Sequence, residues 1–293
     1  MKKLALTACV ISLAVMGITA ACNGENEKNV EVATTKQPEI SVIAREAGSG
    51  TRDAFNELVG TLVKLNGKKK DNTTKDAITI DGTQGVISAV AGNEYAIGYI
   101  SLGSLNGSVK ALDIDGFAPT KENIKAAKYP IARPFNIATK GKMNDAVKDF
   151  VDFILSADGQ AIIEGNGYIG VSDGKKFQAK KLKGKIVIAG SSSVSPVMEK
   201  LKEAYMALNP EMEIEIQTND SSSGMLAAKE GTCDIGMASR NLKPSELEAL
   251  TPQTIARDGI AVIVNKQNQI SNISLAKLRD IYTGLIRKWK DVK

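Results

Sequence analysis

Two turns rich in glycine and serine carry the residues best suited to binding an anion. GSGTR spans 48–52 and AGSSSVSP spans 189–196, and each turn follows a short apolar strand and precedes an amphipathic helix. The first N–H groups of a helix lack backbone partners and carry a partial positive charge, so they attract anions. Serine and threonine hydroxyls add further donors. The two turns therefore predict a site for a tetrahedral oxyanion.

A third turn of the same kind strengthens this prediction, because a single such turn is also what ordinary helix capping produces. DSSSGMLAAKEG at 220–231 follows the strand EIEIQ and again leads into a helix. Arg45, just before the first turn, adds a planar guanidinium that suits bidentate contact with an oxyanion. The predicted ligand residues are Arg45, Ser49, Gly50, Thr51, Ser192, Ser193 and Ser221.

The composition excludes several kinds of catalysis. The chain has no histidine, so Ser-His-Asp hydrolysis and the common zinc sites are excluded. No GxxxxGK[ST] or GxSxG motif is present, and the one GxGxxG, at 165–170, ends a helical pattern instead of following a strand. We expect a binding protein with no metal, no cofactor and no catalytic residue.

The N-terminus has the form of a bacterial secretion signal. Two lysines precede an apolar run from Leu4 to Ile18, and small residues then precede Cys22. We expect a signal peptide at 1–21, lipid modification of Cys22 and a flexible tether at 22–38; an uncleaved N-terminal anchor is the alternative. Either arrangement holds the folded part outside the cytoplasm, on the outer face of the cell membrane.

Charge and cysteine content limit the partners. The net charge is +5, which is too small to indicate nucleic-acid binding. Of the three cysteines, Cys9 lies in the signal peptide and Cys22 is the predicted lipidation site. Cys233 is then alone, and we expect it to be a buried, inert thiol in a monomeric protein.

Strand and helix patterns alternate along the rest of the chain. Helices are predicted over 53–64 and 145–155 and from Pro196 onward, and apolar strands lie between them. This alternation is typical of an α/β protein with largely buried sheets, and the length suits two lobes.

Six specific motifs indicate a resemblance to a known family. The motifs are REAGSGTRDAF, YAIGYISLGSL, YPIARPFNIATKG, IVIAGSSSVSPVMEKLKEAY, GTCDIGMASR and DGIAVIVN. With these, the chain resembles the phosphate-binding proteins of high-affinity phosphate ABC transporters, which have the type II periplasmic binding fold. The order differs from the usual family arrangement, in which the AGSSSVSP half comes first. The chain therefore resembles a circular permutant of that family.

The resemblance implies a division into two lobes with the ligand between them. Lobe A is expected to contain 39–132 and 265–293, and lobe B 133–264. Two crossings between the lobes would form a hinge. The family captures inorganic phosphate and delivers it to the permease subunits of the transporter. For this chain, a phosphate sensor or a phosphatase on the same scaffold remains an alternative.

The choice of anion is left open by one departure from the family. Well-known members have an aspartate that accepts the proton of phosphate, and Ser239 and Arg240 occupy the matching stretch here. A carboxylate acceptor repels sulfate, whereas a serine does so far less, so sulfate or molybdate stays possible. Ser239 and Asp258 complete the set of candidate ligand residues. Asp258 is either a replacement acceptor or a hinge carboxylate paired with Arg240 or Arg257.

Overall fold

The computed structural model describes residues 38–65 and 68–292. The predicted signal peptide at 1–21, Cys22 and almost all of the predicted tether at 22–38 lie outside the described residues. Within the described ranges, none of the helices combines the length and the apolar character that crossing a bilayer requires.

Helices and strands alternate, as the sequence predicts. The strands are Ser41–Arg45 (β1), Leu62–Leu65 (β2), Lys68–Asp71 (β3), Ile78–Ile80 (β4), Ala96–Ser101 (β5), Lys110–Ala111 (β6), Asp113–Ile114 (β7), Ala132–Lys140 (β8), Gly184–Ser191 (β9), Met212–Asn219 (β10), Ile235–Ala238 (β11), Leu250–Val264 (β12) and Asn272–Ile273 (β13). The helices are Gly50–Val59 (α1), Gly82–Ala91 (α2), Lys121–Lys125 (α3), Asp145–Leu155 (α4), Ala157–Gly165 (α5), Ser195–Leu208 (α6), Ser221–Glu230 (α7), Pro244–Leu247 (α8) and Leu275–Tyr282 (α9).

Helix boundaries follow local chemistry. α4 has the predicted bounds, and its N-cap Asn144 accepts a hydrogen bond from the backbone N–H of Val147. The prediction of one helix over 53–64 is wrong at its end. α1 stops before Gly60, whose φ of 83° is left-handed, and Leu62 begins a strand that pairs with β3.

One mixed sheet runs through the protein in the order β10-β9-β11-β8-β12-β5-β1-β4, and β6 pairs with β12. Strands β9, β10 and β11 are parallel to one another at one end, as are β1, β4 and β5 at the other end. The long strands β8 and β12, antiparallel to each other, connect the two ends.

Of the four hydrophobic clusters in the described residues, the two largest occupy the two ends of this sheet, and we keep the names lobe A and lobe B for these ends. The core of lobe A includes Phe55, Tyr99 and Tyr282, and the core of lobe B includes Phe150 and Tyr205. The predicted α/β class with two lobes of the type II fold is confirmed.

Strand β12 changes its pairing partner within the stretch DGIAVIVN at 258–265, and the lobe boundary at 264 stays a prediction. The strand pairs with β8 as far as Gly259 and with β5 from Ile260 to Val264. Ile260, Val262 and Val264 belong to the core of lobe A.

Candidate functional site

Except for Asp258, the predicted ligand residues lie at or just beyond the C-terminal ends of the parallel strands in both lobes. Arg45 ends β1, Ser192 follows β9, and Ser221 follows β10. Ligands of open α/β sheets bind at this edge, because the turns there begin helices whose N–H groups are free. Gly50 and Thr51 are the first two residues of α1, so no helical carbonyl accepts from their N–H groups.

The guanidinium of Arg45 is held by hydrogen bonds through two of its three nitrogens. Its side chain is 2% exposed, and its Nε and Nη2 donate to Glu46 at 2.6 and 2.5 Å. Nη2 also donates to Ser192 Oγ across the cleft at 3.1 Å. Its Nη1 is buried and has no hydrogen-bond partner among the described residues. A buried guanidinium N–H is costly to leave unpaired, so this atom is available to an acceptor from outside the chain.

The backbone of Arg45 is fixed as well. Its N–H donates to the hydroxyl of the buried Tyr99, and its carbonyl accepts from Arg52 Nη1 at 2.6 Å. Arg52 is held in turn by an ion pair with Asp71 at 2.8 Å. Arg52 therefore positions Arg45, and Tyr99 stacks on Phe55 at 3.9 Å between ring centroids. Such support is what a preorganised binding group needs.

Hydroxyl groups from both lobes converge beside Arg45. Thr51 Oγ1 and Ser193 Oγ lie 2.9 Å apart across the cleft. Thr83 Oγ1 lies 3.3 Å from both Ser192 Oγ and Ser193 Oγ. These hydroxyls are neutral donors that can turn toward an anion without adding charge. We call Arg45, Thr51, Thr83, Ser192 and Ser193 the donor cluster.

Two glycines allow the lobes to approach closely. Gly48 has a φ of 88°, and its carbonyl accepts from the N–H and the hydroxyl of Ser222 in lobe B, both at 3.2 Å. A Cβ on Gly50 would lie 2.3 Å from Ser221 Oγ and 2.8 Å from Ser239 Oγ. A larger residue at position 50 would require these serine side chains to turn or the lobes to separate.

Ser49, Ser221 and Ser239 have defined roles at the edge of the cluster. Ser49 Oγ caps α1 by accepting from the N–H of Arg52 at 3.3 Å. Ser221 Oγ accepts from the N–H of Ser239, and Ser239 Oγ accepts from Ser191 Oγ. Ser239 thus presents a hydroxyl at the position where the family resemblance leads one to expect a carboxylate.

Asp258 lies in β12 at the hinge, and its side-chain hydrogen-bond partners are not members of the donor cluster. It is 1% exposed; one oxygen accepts from Ser101 Oγ at 3.0 Å, and the other accepts from Arg133 Nη2 at 3.1 Å. Arg133 and Asp258 face each other from β8 and β12. Burial raises the pKa of Asp258 to about 6, although Arg133 and Ser101 oppose that rise. The structure favours the hinge-carboxylate interpretation, but the partner is Arg133 and not Arg240 or Arg257.

Sequence reasoning missed Glu46 and Thr83. Glu46 supplies the carboxylate that orients Arg45, and one of its oxygens also accepts from the N–H of Gly82 at 3.3 Å. Thr83, 3% exposed, follows Gly82 in the first turn of α2. The stretch ITIDGTQG has the same strand–turn–helix pattern as the three turns singled out, and that signal could have identified Thr83.

Metal-binding residues do not cluster in the part of the chain that the structure describes. Across residues 38–65 and 68–292, no group of three or more cysteine, aspartate or glutamate residues is arranged to hold an ion. Cys233 is buried, and burial raises the pKa of its thiol to about 11. The site is thus built from one guanidinium, hydroxyls and helix N–H groups.

Comparisons with known proteins agree with this architecture. The model of the PBP superfamily domain matches residues 23–158 and 177–293. The phosphate-binding protein PstS 2 of Streptococcus agalactiae serotype V is 47% identical over 294 residues, which cover 99% of this chain and 98% of the relative.

This chain is also similar in sequence and fold to a solved structure. The phosphate-binding protein of a phosphate ABC transporter from Streptococcus pneumoniae TIGR4, known from a crystal structure, is 48% identical in sequence to this chain. It covers 87% of this chain and 100% of its own, with a TM-score of 0.71.

Another relative aligns over less than half of its length. The phosphate-binding protein PstS of Staphylococcus epidermidis is 33% identical over 134 residues, which are 43% of this chain and 41% of that protein.

Proposed function

The chain belongs to the PBP superfamily and to the same family as the streptococcal PstS 2 proteins, and from this membership we propose that it captures inorganic phosphate between its lobes. The observation that carries the proposal is the buried Nη1 of Arg45, which has no acceptor within the described residues and lies in the donor cluster. A tetrahedral oxyanion supplies several acceptor oxygens at once. Phosphate is the anion named in the relatives.

Capture requires no covalent chemistry. Each charge-assisted hydrogen bond to the anion contributes about 1.5–3 kcal/mol, which offsets the loss of its hydration. Since Arg45, Thr51 and Thr83 come from lobe A and Ser192 and Ser193 from lobe B, an anion bound by all of them favours the closed form. The anion shifts the population toward that form through its differential affinity for it.

The closed protein would then deliver phosphate to the permease subunits of an ABC transporter. We further propose an extracytoplasmic location on the outer face of the cell membrane, with lipid on Cys22, and a monomeric state. The proteins it resembles are named as binding proteins, so we assign no enzymatic activity. The layout of residues 1–22 and the tether that follows support the anchor.

We propose that the chain is circularly permuted relative to the usual family order. The half-length match to the staphylococcal protein supports this, as does the end-to-end match to a streptococcal relative that would share the permuted order. The chain ends of the folded part support it too: the N–H of Ile40 donates to the carbonyl of Arg287 at 2.7 Å. Ends that lie close together permit a new break in the chain.

Selectivity against sulfate is expected to be weak. Ser239 offers a hydroxyl, and the carboxylate of Asp258 is engaged by Arg133 and Ser101. Among the described residues, the carboxylate nearest in sequence to Arg45 is that of Glu46, and it forms an ion pair with Arg45. Sulfate would meet little repulsion in such a site.

The proposal is tested by calorimetric titration of Arg45→Ala with phosphate. We expect the affinity to fall about 100-fold or more, because a buried charge-assisted contact is lost and Glu46 loses its partner. Arg287→Ala is the matched control, since Arg287 is an exposed arginine paired with Glu39 and Asp76. Unchanged phosphate affinity in Arg45→Ala, with a normal thermal unfolding curve, would remove Arg45 from the site.

A further inference from the structure

Arg240 follows Ser239 and is a buried charge that the anion site does not use. Its side chain is 5% exposed. Nη1 and Nη2 each donate to one oxygen of Glu246 at 2.8 Å, Nη1 also donates to the carbonyl of Asn241, and Nη2 donates to Ser222 Oγ. Burial raises the pKa of Glu246, but the hydrogen bonds from Arg240 and from the backbone of Lys243 leave it below its ordinary value. Arg240 and Glu246 are therefore a fixed ion pair of lobe B.

The remaining nitrogen of Arg240 faces the other lobe. Nε lies 3.1 Å from Asp53 Oδ2 in an ion pair that lacks hydrogen-bond geometry, and Lys243 Nζ lies 3.2 Å from the same oxygen. Asp53 is in the first turn of α1, directly after the residues that approach lobe B. Two cations of lobe B thus hold one carboxylate of lobe A.

These contacts can exist only while the lobes touch. Lobe B positions Arg240 independently of Asp53, because Arg240 has four hydrogen bonds within lobe B. Lys243 Nζ lies 3.4 Å from Ser222 Oγ of the same lobe. A carboxylate that contacts cations already held in place gains more binding free energy, because those side chains need not be ordered on closure. The side chain of Asp53 is 38% exposed, so solvent screens part of the attraction.

We propose that Asp53, Arg240 and Lys243 form a latch that sets how slowly the closed cleft releases its anion. These are positioning residues, since they act on the anion through the closure of the lobes. The proposal rests on the proposed function for the identity of the ligand. The latch contributes after closure, so it changes the dissociation rate and leaves the association rate nearly constant.

The test uses Asp53→Asn, which removes the charge and keeps the shape, in the full-length mature protein. Release of radiolabelled phosphate into excess unlabelled phosphate gives the dissociation rate. We expect release to be roughly fivefold faster than in the wild type. The matched control is Glu57→Gln, because Glu57 lies one turn further along α1 and pairs with Lys69 inside lobe A. Its release rate should stay close to the wild-type value.

Two further measurements separate the latch from other causes. At about 1 M salt the wild-type rate should approach that of Asp53→Asn, since salt screens the exposed part of the ion pair. In Lys243→Gln, adding Asp53→Asn should have a smaller effect than in the wild type. Small-angle X-ray scattering without phosphate should show a larger radius of gyration for Asp53→Asn than for wild type or Glu57→Gln.

The outcomes distinguish the latch from the function. Equal release rates and equal scattering for Asp53→Asn and Glu57→Gln would overturn the latch while leaving phosphate binding intact. If the wild type binds no phosphate, the proposed function fails, and scattering alone decides the latch. A larger radius for Asp53→Asn then supports it, and an unchanged radius overturns it.

Discussion

Replacement of Gly50 by alanine should separate phosphate affinity from stability. Gly50 is the first residue of α1, and its backbone conformation is one that alanine adopts without strain. Alanine at a helical position is preferred over glycine by roughly 0.5–1 kcal/mol. The folded protein should therefore unfold at the same or a slightly higher temperature in phosphate-free buffer.

The same methyl group should prevent closure. It would lie 2.3 Å from Ser221 Oγ, well inside the distance at which a carbon and an oxygen can pack. Either the Ser221 hydroxyl must turn away and lose its hydrogen bond from the N–H of Ser239, or the lobes must move apart, and we expect the lobes to move. The contacts between Thr51 and Ser193 and between Arg45 and Ser192 would lengthen together. Losing two or three hydrogen bonds of about 1 kcal/mol each corresponds to an affinity loss of roughly 100-fold.

The assay is calorimetric titration with phosphate, together with thermal unfolding monitored by circular dichroism. Gly165→Ala is the matched control. Gly165 is the last residue of α5, and a Cβ there would meet no atom within 4 Å. This control should bind phosphate as the wild type does. Wild-type affinity in Gly50→Ala would refute the reasoning, because the tight approach of the lobes would then be irrelevant to binding.

Two other expectations follow from single contacts. Thr83→Val removes a hydroxyl that lies 3.3 Å from both Ser192 and Ser193, and phosphate should bind roughly fivefold more weakly by calorimetry; equal affinity would exclude Thr83 from the site. Asp258 has a pKa of about 6, above the ordinary 3.8, so its contribution to the free energy of unfolding is greatest below about pH 4 and is lost as the pH rises through about 6. Denaturant unfolding across that window should show this loss, on the order of 2 kcal/mol, in the wild type and not in Asp258→Asn; parallel profiles would contradict the raised pKa.

Local patterns predict most of the fold. The three serine-rich turns stand where the sequence places them, because each combines a strand period, a capping residue and a helix period within about twenty residues. Helix α4 has its predicted bounds for the same reason. α1 ends earlier than predicted because Gly60 adopts a left-handed conformation. Leu62 and Val63 fit the apolar period of the helix, so the sequence pattern gives no sign of this end.

Contacts between distant parts of the chain could not be predicted in this way. The sequence around Asp258 makes it a candidate acceptor. It carries no sign of the ion pair with Arg133, which lies 125 residues earlier in the chain. The role of Arg240 likewise depends on Asp53 in the opposite lobe. Periodicity and capping report local structure, whereas these pairings depend on how the two lobes meet.

Equilibrium titration of the wild-type protein with phosphate, and with sulfate as competitor, tests the central claim most directly. Convergence of Arg45, Thr51 and Ser193 on one anion predicts saturable binding of one phosphate per chain, with sulfate competing for the same site. Absence of saturable phosphate binding in a correctly folded protein would contradict it.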